Sequence, residues 1–149
     1  MSKAFTSHSP EETIEFGQTL GRQLRGGEII AMVGPLGSGK THLIKGIALG
    51  AGAEDRKVVN SPTFVLINQY QGRLDIYHID AYRLDSVAEF EMLGFDDLCY
   101  PESVVVIEWA DKVEAALAET HPIHIELCHA GPRTRTIHIR NTPDHLNVP

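Results

Sequence analysis

The sequence predicts a single α/β domain: a mixed central β-sheet flanked by helices, with a β-hairpin at its C-terminal end. Three observations predict it. Two short, wholly apolar runs, Ile29–Val33 and Val104–Ile107, have the composition of central strands buried on both faces. Stretches with helical spacing of apolar residues alternate with these runs, as layered α/β domains require. A glycine-rich loop, residues 34–41, joins the first apolar run to a helical pattern.

The elements follow in order. Ser9-Pro10-Glu11-Glu12 is a helix start, with Ser as N-cap, Pro in the first turn and Glu three residues after the cap. Ile14, Leu20 and Leu24, with the small Gly17 and Gly21, make one face of that helix, and Gly26-Gly27 ends it. Ile29–Val33 is the buried strand, Gly34 opens a loop, and Leu43, Ile44, Ile47 and Ala48 carry a helix from Thr41 to the Gly50 and Gly52 region. Residues 64–70 and 74–79 are rich in β-branched and aromatic side chains around Gln71-Gly72, which predicts a hairpin. Ser86 caps a short helix through Leu93 and Gly94 terminates it. The strand Val104–Ile107 ends on Glu108, and residues 111–119 are expected as one helix. Residues 124–128 and 136–140 alternate polar and apolar around Gly131-Pro132, a hairpin with one wet face that carries His124 and His138.

Composition sets the outer bounds. With 149 residues, no repeats and 42% hydrophobic content, the chain is expected to be one globular domain over 1–149, with 142–149 as a flexible tail. The longest aliphatic run falls far short of the ~20 residues a membrane helix needs, and no secretory pattern opens the chain. A cytoplasmic protein without membrane association is expected. Thirteen Lys+Arg against twenty Asp+Glu leave a net charge of −7, which argues against a broad basic face for nucleic acid. A role on nucleic acid would therefore need a partner. Cys99 and Cys128 have no CxxC spacing, and the eight His are scattered, so reduced thiols and no histidine metal site are expected.

The chemistry concentrates in Gly34-Pro35-Leu36-Gly37-Ser38-Gly39-Lys40-Thr41, a full G-x-x-x-x-G-K-[ST] phosphate loop in the required strand-to-helix context. This makes the domain P-loop NTPase-like. The backbone N–H groups of Leu36, Gly37, Ser38 and Gly39 and the following helix end suit phosphate oxygens, Lys40 suits the β- and γ-phosphates, and the Thr41 hydroxyl suits Mg²⁺. Glu108 ends a buried strand at the position of a Walker B carboxylate, where it either holds Mg²⁺ or polarises the attacking water. Asp80 ends another expected strand, and period-2 alternation places it on one side with His78.

With Gly34 to Thr41, Ser61-Pro62-Thr63-Phe64, Tyr77-His78-x-Asp80-x-Tyr82-Arg83-Leu84, Glu91-x-x-Gly94 and Ile107-Glu108-Trp109 in this order, the chain resembles the TsaE family, formerly YjeE, from about Ser9 to Trp109. The resemblance implies a small bacterial ATPase of tRNA threonylcarbamoyladenosine synthesis, using ATP and Mg²⁺. Its partners would be the transferase TsaD and the paralogue TsaB, with tRNA met only through that complex, and hydrolysis would support repeated turnover. Lys40, Asp80 and Glu108 would be catalytic; Ser61, Pro62 and Thr63 would form a switch-like loop; and Trp109 would face the partner or pack. Arg133 and Arg135 lie near where the family has basic residues close to the nucleotide. Pro35 and Ser38 depart from the family, which commonly carries an acidic residue and Ala there. Two other readings share the phosphate loop: a small-molecule kinase and a nucleotide-dependent switch with little turnover. The kinase is disfavoured because residues 84–102 are acidic and lack Lys and Arg, a poor lid over phosphates.

Overall fold

A computed structural model describes residues 2–53, 55–59 and 67–149. Its strands are β1 (Ser2–Ser7), β2 (Ile29–Val33), β3 (Asp55–Val59), β4 (Ile67–Gln71), β5 (Asp75–Asp80), β6 (Ser103–Glu108), β7 (Ile123–His129) and β8 (Arg135–Arg140). Among the described residues they form one mixed sheet in the order β1-β8-β7-β2-β6-β5-β4-β3. The middle is parallel, with β2 between β6 and β7 and β5 beside β6, and both flanks are antiparallel. Every residue of β6 is buried, as its unbroken apolar run requires.

Two helical layers cover the sheet. On one face α1 (Pro10–Gln23) and α2 (Lys40–Gly50) pack Phe16, Leu20, Leu43 and Ile47 onto Ile30, Met32, Val104 and Val106. On the other, α3 (Val87–Glu91), α4 (Phe95–Leu98) and α5 (Glu114–Leu117) bring Phe90, Phe95 and Leu117 onto Ala31, Val105 and Ile107. Helices α1 and α2 touch backbone to backbone through Gly17 and Gly21 on one and Gly46 and Gly50 on the other. A Cβ on Gly46 would stand 2.2 Å from the Ile14 carbonyl oxygen. This contact draws the start of α1 alongside the start of α2.

Local chemistry explains the helix ends. Ser9 Oγ accepts from the Glu12 N–H at 3.1 Å, as expected, while Glu12 Oε2 takes the His8 N–H at 2.7 Å, one residue before the N-cap. At the other end of α1, Arg73 Nη1 donates to the Leu24 carbonyl at 2.7 Å and Nη2 to Gly21 at 2.9 Å, satisfying carbonyls the helix leaves open.

Several expectations need correction. Residues 111–119 do not form one helix: a 3₁₀ turn Ala110–Val113, α5 and a second 3₁₀ turn Ala118–Thr120 share the segment. Left-handed backbone at Trp109 (φ 58°) and His121 (φ 50°) brackets it and stops a longer helix from growing. Residues 142–149 do not hang free. Leu146 and Val148 are buried in the α1 and α2 core, Gln23 Nε2 donates to the Asn147 carbonyl at 2.8 Å, and His145 Nε2 meets Glu28 Oε2 at 2.8 Å. Two apolar side chains two residues apart suffice to anchor so short a segment. The C-terminal hairpin forms as expected between β7 and β8, but β1 pairs with β8 and takes the sheet edge. The hairpin of β4 and β5 also forms; residues 64–66 of its first expected strand lie outside the described residues. Both cysteines are free.

Candidate functional site

The order of the strands locates the site. From β2 the chain runs to one side of the sheet for β3 to β6 and to the other for β7 and β8, and ligands of α/β sheets bind where the strand order so reverses, beyond the carboxyl ends. The phosphate loop leaves the carboxyl end of β2 there. The register pairs Met32 with Glu108 and Glu108 with Asp80, so both carboxylates reach the same sheet edge as the loop. A cavity of about 770 Å³ is lined by Leu36, Gly37, Ser38, Gly39, Lys40 and Thr41 and also by Asp80, Glu108, Trp109, Arg133 and Arg135. The sequence-predicted residues that are described therefore converge; Ser61, Pro62 and Thr63 lie outside the described residues.

The loop leaves open the donors that an anion would need. Helix α2 begins at Lys40 with Gly39 as N-cap, left-handed at φ 97°, which glycine adopts without strain. No side chain caps this end, so the first N–H groups of an eleven-residue helix remain available. Ser38 Oγ is buried with no hydrogen-bond partner among the described residues, a cost that a ligand oxygen would remove. The loop is also braced from outside: Arg135 Nη2 donates to the Gly37 carbonyl at 3.2 Å, and Nη1 holds the Gly131 and Thr134 carbonyls at the hairpin turn. His129 Nε2 approaches the Leu36 carbonyl at 3.4 Å. Arg135 thus ties the tip of the loop to the hairpin, while the exposed Arg133 lines the cavity.

Lys40 is only 6% exposed. Its Nζ donates to the Gly34 carbonyl and lies 3.7 Å from the centre of the Trp109 ring. Burial pulls this ammonium below the usual lysine range, against the raising influence of Glu108, Asp80 and Asp111. Trp109 holds a left-handed backbone that is costly for a bulky side chain, about 1–3 kcal/mol, and such strain gathers at functional sites. Its ring packs on Tyr82 at 4.9 Å, and Lys112 Nζ donates to the Tyr82 carbonyl. Glu108 is buried, with His78 Nε2 3.6 Å from its Oε2, too far for a hydrogen bond. Asp80 Oδ1 accepts from the Tyr82 N–H at 3.0 Å, leaving its other oxygen free of any hydrogen bond among the described residues.

Residues the sequence did not single out complete the wall. His8, Ser9, Pro10, Glu11 and Thr13 reach the cavity from the start of α1, and His42, Tyr82 and Pro132 from three other places. The paired glycines of α1 and α2 were the signal for the first group, because close helix contact is what carries the start of α1 to the loop. An uncapped helix end, an orphaned buried hydroxyl, a buried ammonium and two carboxylates form a donor set that fits a phosphate-bearing ligand with a divalent cation.

Fold and site together define an α/β protein of the phosphate-loop class, with two acidic strand ends facing the loop. More narrowly, the chain belongs to the TsaE family: the family described as "Threonylcarbamoyl adenosine biosynthesis protein TsaE" matches residues 7–137. The tRNA threonylcarbamoyladenosine biosynthesis protein TsaE of Treponema pallidum is 39% identical over 132 residues, 88% of this chain and 96% of that protein. The protein of the same name from Bacillus subtilis is 36% identical over 130 residues, 87% of this chain and 79% of the relative. The crystal structure of Bacillus subtilis YdiB superposes with a TM-score of 0.76 at 28% identity, covering 93% of this chain and 84% of that one. No helix among the described residues is long and apolar enough to cross a membrane.

Proposed function

We propose that the protein binds ATP with Mg²⁺ and hydrolyses it, and that hydrolysis supports turnover of the complex that adds threonylcarbamoyl to adenosine in tRNA. The convergence of the loop, Asp80 and Glu108 on one cavity carries the reading, and the names of the relatives supply its biological setting. Backbone N–H groups of residues 36–39 and the start of α2 hold phosphate oxygens, the Ser38 N–H after leaving the Pro35 carbonyl to which it donates at 3.2 Å. Lys40 leaves the Gly34 carbonyl for the β- and γ-phosphates, and Arg135 keeps the loop in shape. Thr41 and Glu108 are the residues that would hold Mg²⁺, which when bound neutralises charge developing on the transferred phosphoryl group. Asp80 or Glu108 orients the attacking water and accepts its proton.

Partners of the TsaD and TsaB kinds meet the exposed rim, with tRNA reached only through them, and the compartment is the cytoplasm. One observation favours low activity of the isolated chain: Lys40 is already occupied by Gly34 and Trp109, so its release costs those contacts. Calorimetric titration with ATP and Mg²⁺ tests the binding step. Saturable one-to-one binding that is weakened in Lys40→Ala is expected; equal binding by both proteins would refute the reading.

A further inference from the structure

A second cavity, of about 550 Å³, lies outside the phosphate site, between the α5 segment and the wet face of β7 and β8. Part of its wall is apolar, from Val33, Ala110 and Leu117, and His121, His124 and His138 line it beside them, whereas its rim carries the exposed carboxylates Asp111, Glu114 and Glu126. Arg140 is the rim's guanidinium, so fixed acidic charges outnumber it three to one. We infer that this groove docks a Lys- or Arg-bearing segment of a partner protein.

The chemistry selects that occupant. Long basic side chains lay their aliphatic stems on apolar surface and carry the charge at the tip, which matches the apolar part of the wall, at Val33, Ala110 and Leu117, beneath an acidic rim. Phosphate-rich RNA meets the wrong sign here. A metal ion is a poor alternative, because among the described residues no three His, Cys, Asp or Glu side chains group closely enough to hold one.

The groove is also placed to sense the nucleotide site. Ala110 and Asp111 in its wall follow Glu108 and Trp109 directly, and Val33, also in its wall, precedes Gly34. A segment seated there touches the chain on the far side of both catalytic stretches. The inference deepens the reading of the protein as part of a complex and rests on it.

The test uses the purified TsaD–TsaB pair of the same organism and the full chain. Affinity is measured by biolayer interferometry for the wild type, for E114K/E126K, for E114Q/E126Q and for the charge-matched control E15K/D144K, whose residues are exposed elsewhere. Loss of affinity of about tenfold or more in the double reversal, a smaller loss in the double glutamine variant, and a control within about twofold of wild type are expected. ATP affinity of the reversal variant stays unchanged. Wild-type binding by the reversal variant, or an equal loss in the control, overturns the groove and leaves the complex intact. Failure of the wild type to bind the pair overturns the complex-based reading itself, and the groove with it. Should E114K/E126K melt early, the glutamine variant decides, and hydrogen exchange on the wild-type complex must show protection over residues 110–126.

Discussion

Replacing Gly46 by alanine puts a methyl group into the closest approach of the two helices that frame the phosphate loop. The new carbon would sit 2.2 Å from the Ile14 carbonyl oxygen and 3.0 Å from the Gly17 Cα. The first contact is about 1 Å inside an ordinary van der Waals separation. Both neighbours are backbone, so no rotamer change relieves them and the helices must part. Overpacking costs about 1–3 kcal/mol, and a rigid backbone contact belongs at the upper end. Alanine returns about 1 kcal/mol of helix propensity. The net loss is about 2 kcal/mol, which for a chain of this length lowers Tm by about 4–8 °C. Because α2 begins at Lys40, the displacement also reaches the loop, and ATP affinity falls with stability. Gly131→Ala is the control: its nearest neighbours are Thr134 atoms at 3.6 Å, so Tm is expected to hold or rise. Far-UV circular dichroism melts and ATP titrations of both variants decide. A Gly46→Ala protein as stable as wild type would refute the close-contact account of how the site is framed.

Other predictions follow from individual side chains. Lys40→Ala should abolish hydrolysis and weaken ATP binding while the melt stays near wild type, since a buried, partly desolvated ammonium is removed; unchanged turnover would remove the phosphate-loop mechanism. Asp80→Asn and Glu108→Gln should each slow hydrolysis at least ~100-fold, the scale of a lost general base, with little change in Tm; near-normal turnover in either would demote that residue to scaffold. Burial raises the Glu28 pKa, but hydrogen bonds from the Arg25 and Gly26 N–H groups and from His145 outweigh it, and the carboxyl titrates below its ordinary 4.5. Its stabilisation is therefore present above pH 4.5 and lost as pH falls through the lower folded value. Glu28→Gln should melt earlier than wild type at pH 7, and the gap should close in acid; a gap that widens below pH 4 would contradict this linkage.

Much of the centre of the fold was legible because the residues there face few competing demands. β2 and β6 are buried on both faces and read as unbroken apolar runs, and the loop between β2 and α2 has backbone requirements that glycines, Lys40 and Thr41 declare outright. Glu108 and Asp80 stood out as charges closing strands. The edges were hidden. β1 and β3, with sequences SKAFTS and DRKVV, lie at the two sheet ends and carry too little alternation to announce themselves. The break-up of residues 110–120 depends on left-handed backbone at Trp109, a bulky type that seldom adopts it, and at His121, a type enriched there but one that adopts it too rarely to mark a helix end by itself. The part of the cavity wall made by His8 to Thr13 arises from helix packing between distant segments, and the paired glycines of α1 and α2 are the only trace it leaves in the sequence. Arg135 was marked only through the family resemblance, and its bond to the Gly37 carbonyl comes from tertiary contact alone.

The most direct test of the central claim is a time course of threonylcarbamoyladenosine formation on tRNA. It uses the TsaD–TsaB pair with a threonylcarbamoyl donor, this chain and ATP with Mg²⁺. Product should rise well past one modified tRNA per complex with the wild-type chain. It should stop near a single turnover when Asp80→Asn replaces it or when a non-hydrolysable ATP analogue replaces ATP. Equal, sustained product formation under all three conditions would contradict a role for hydrolysis at this site.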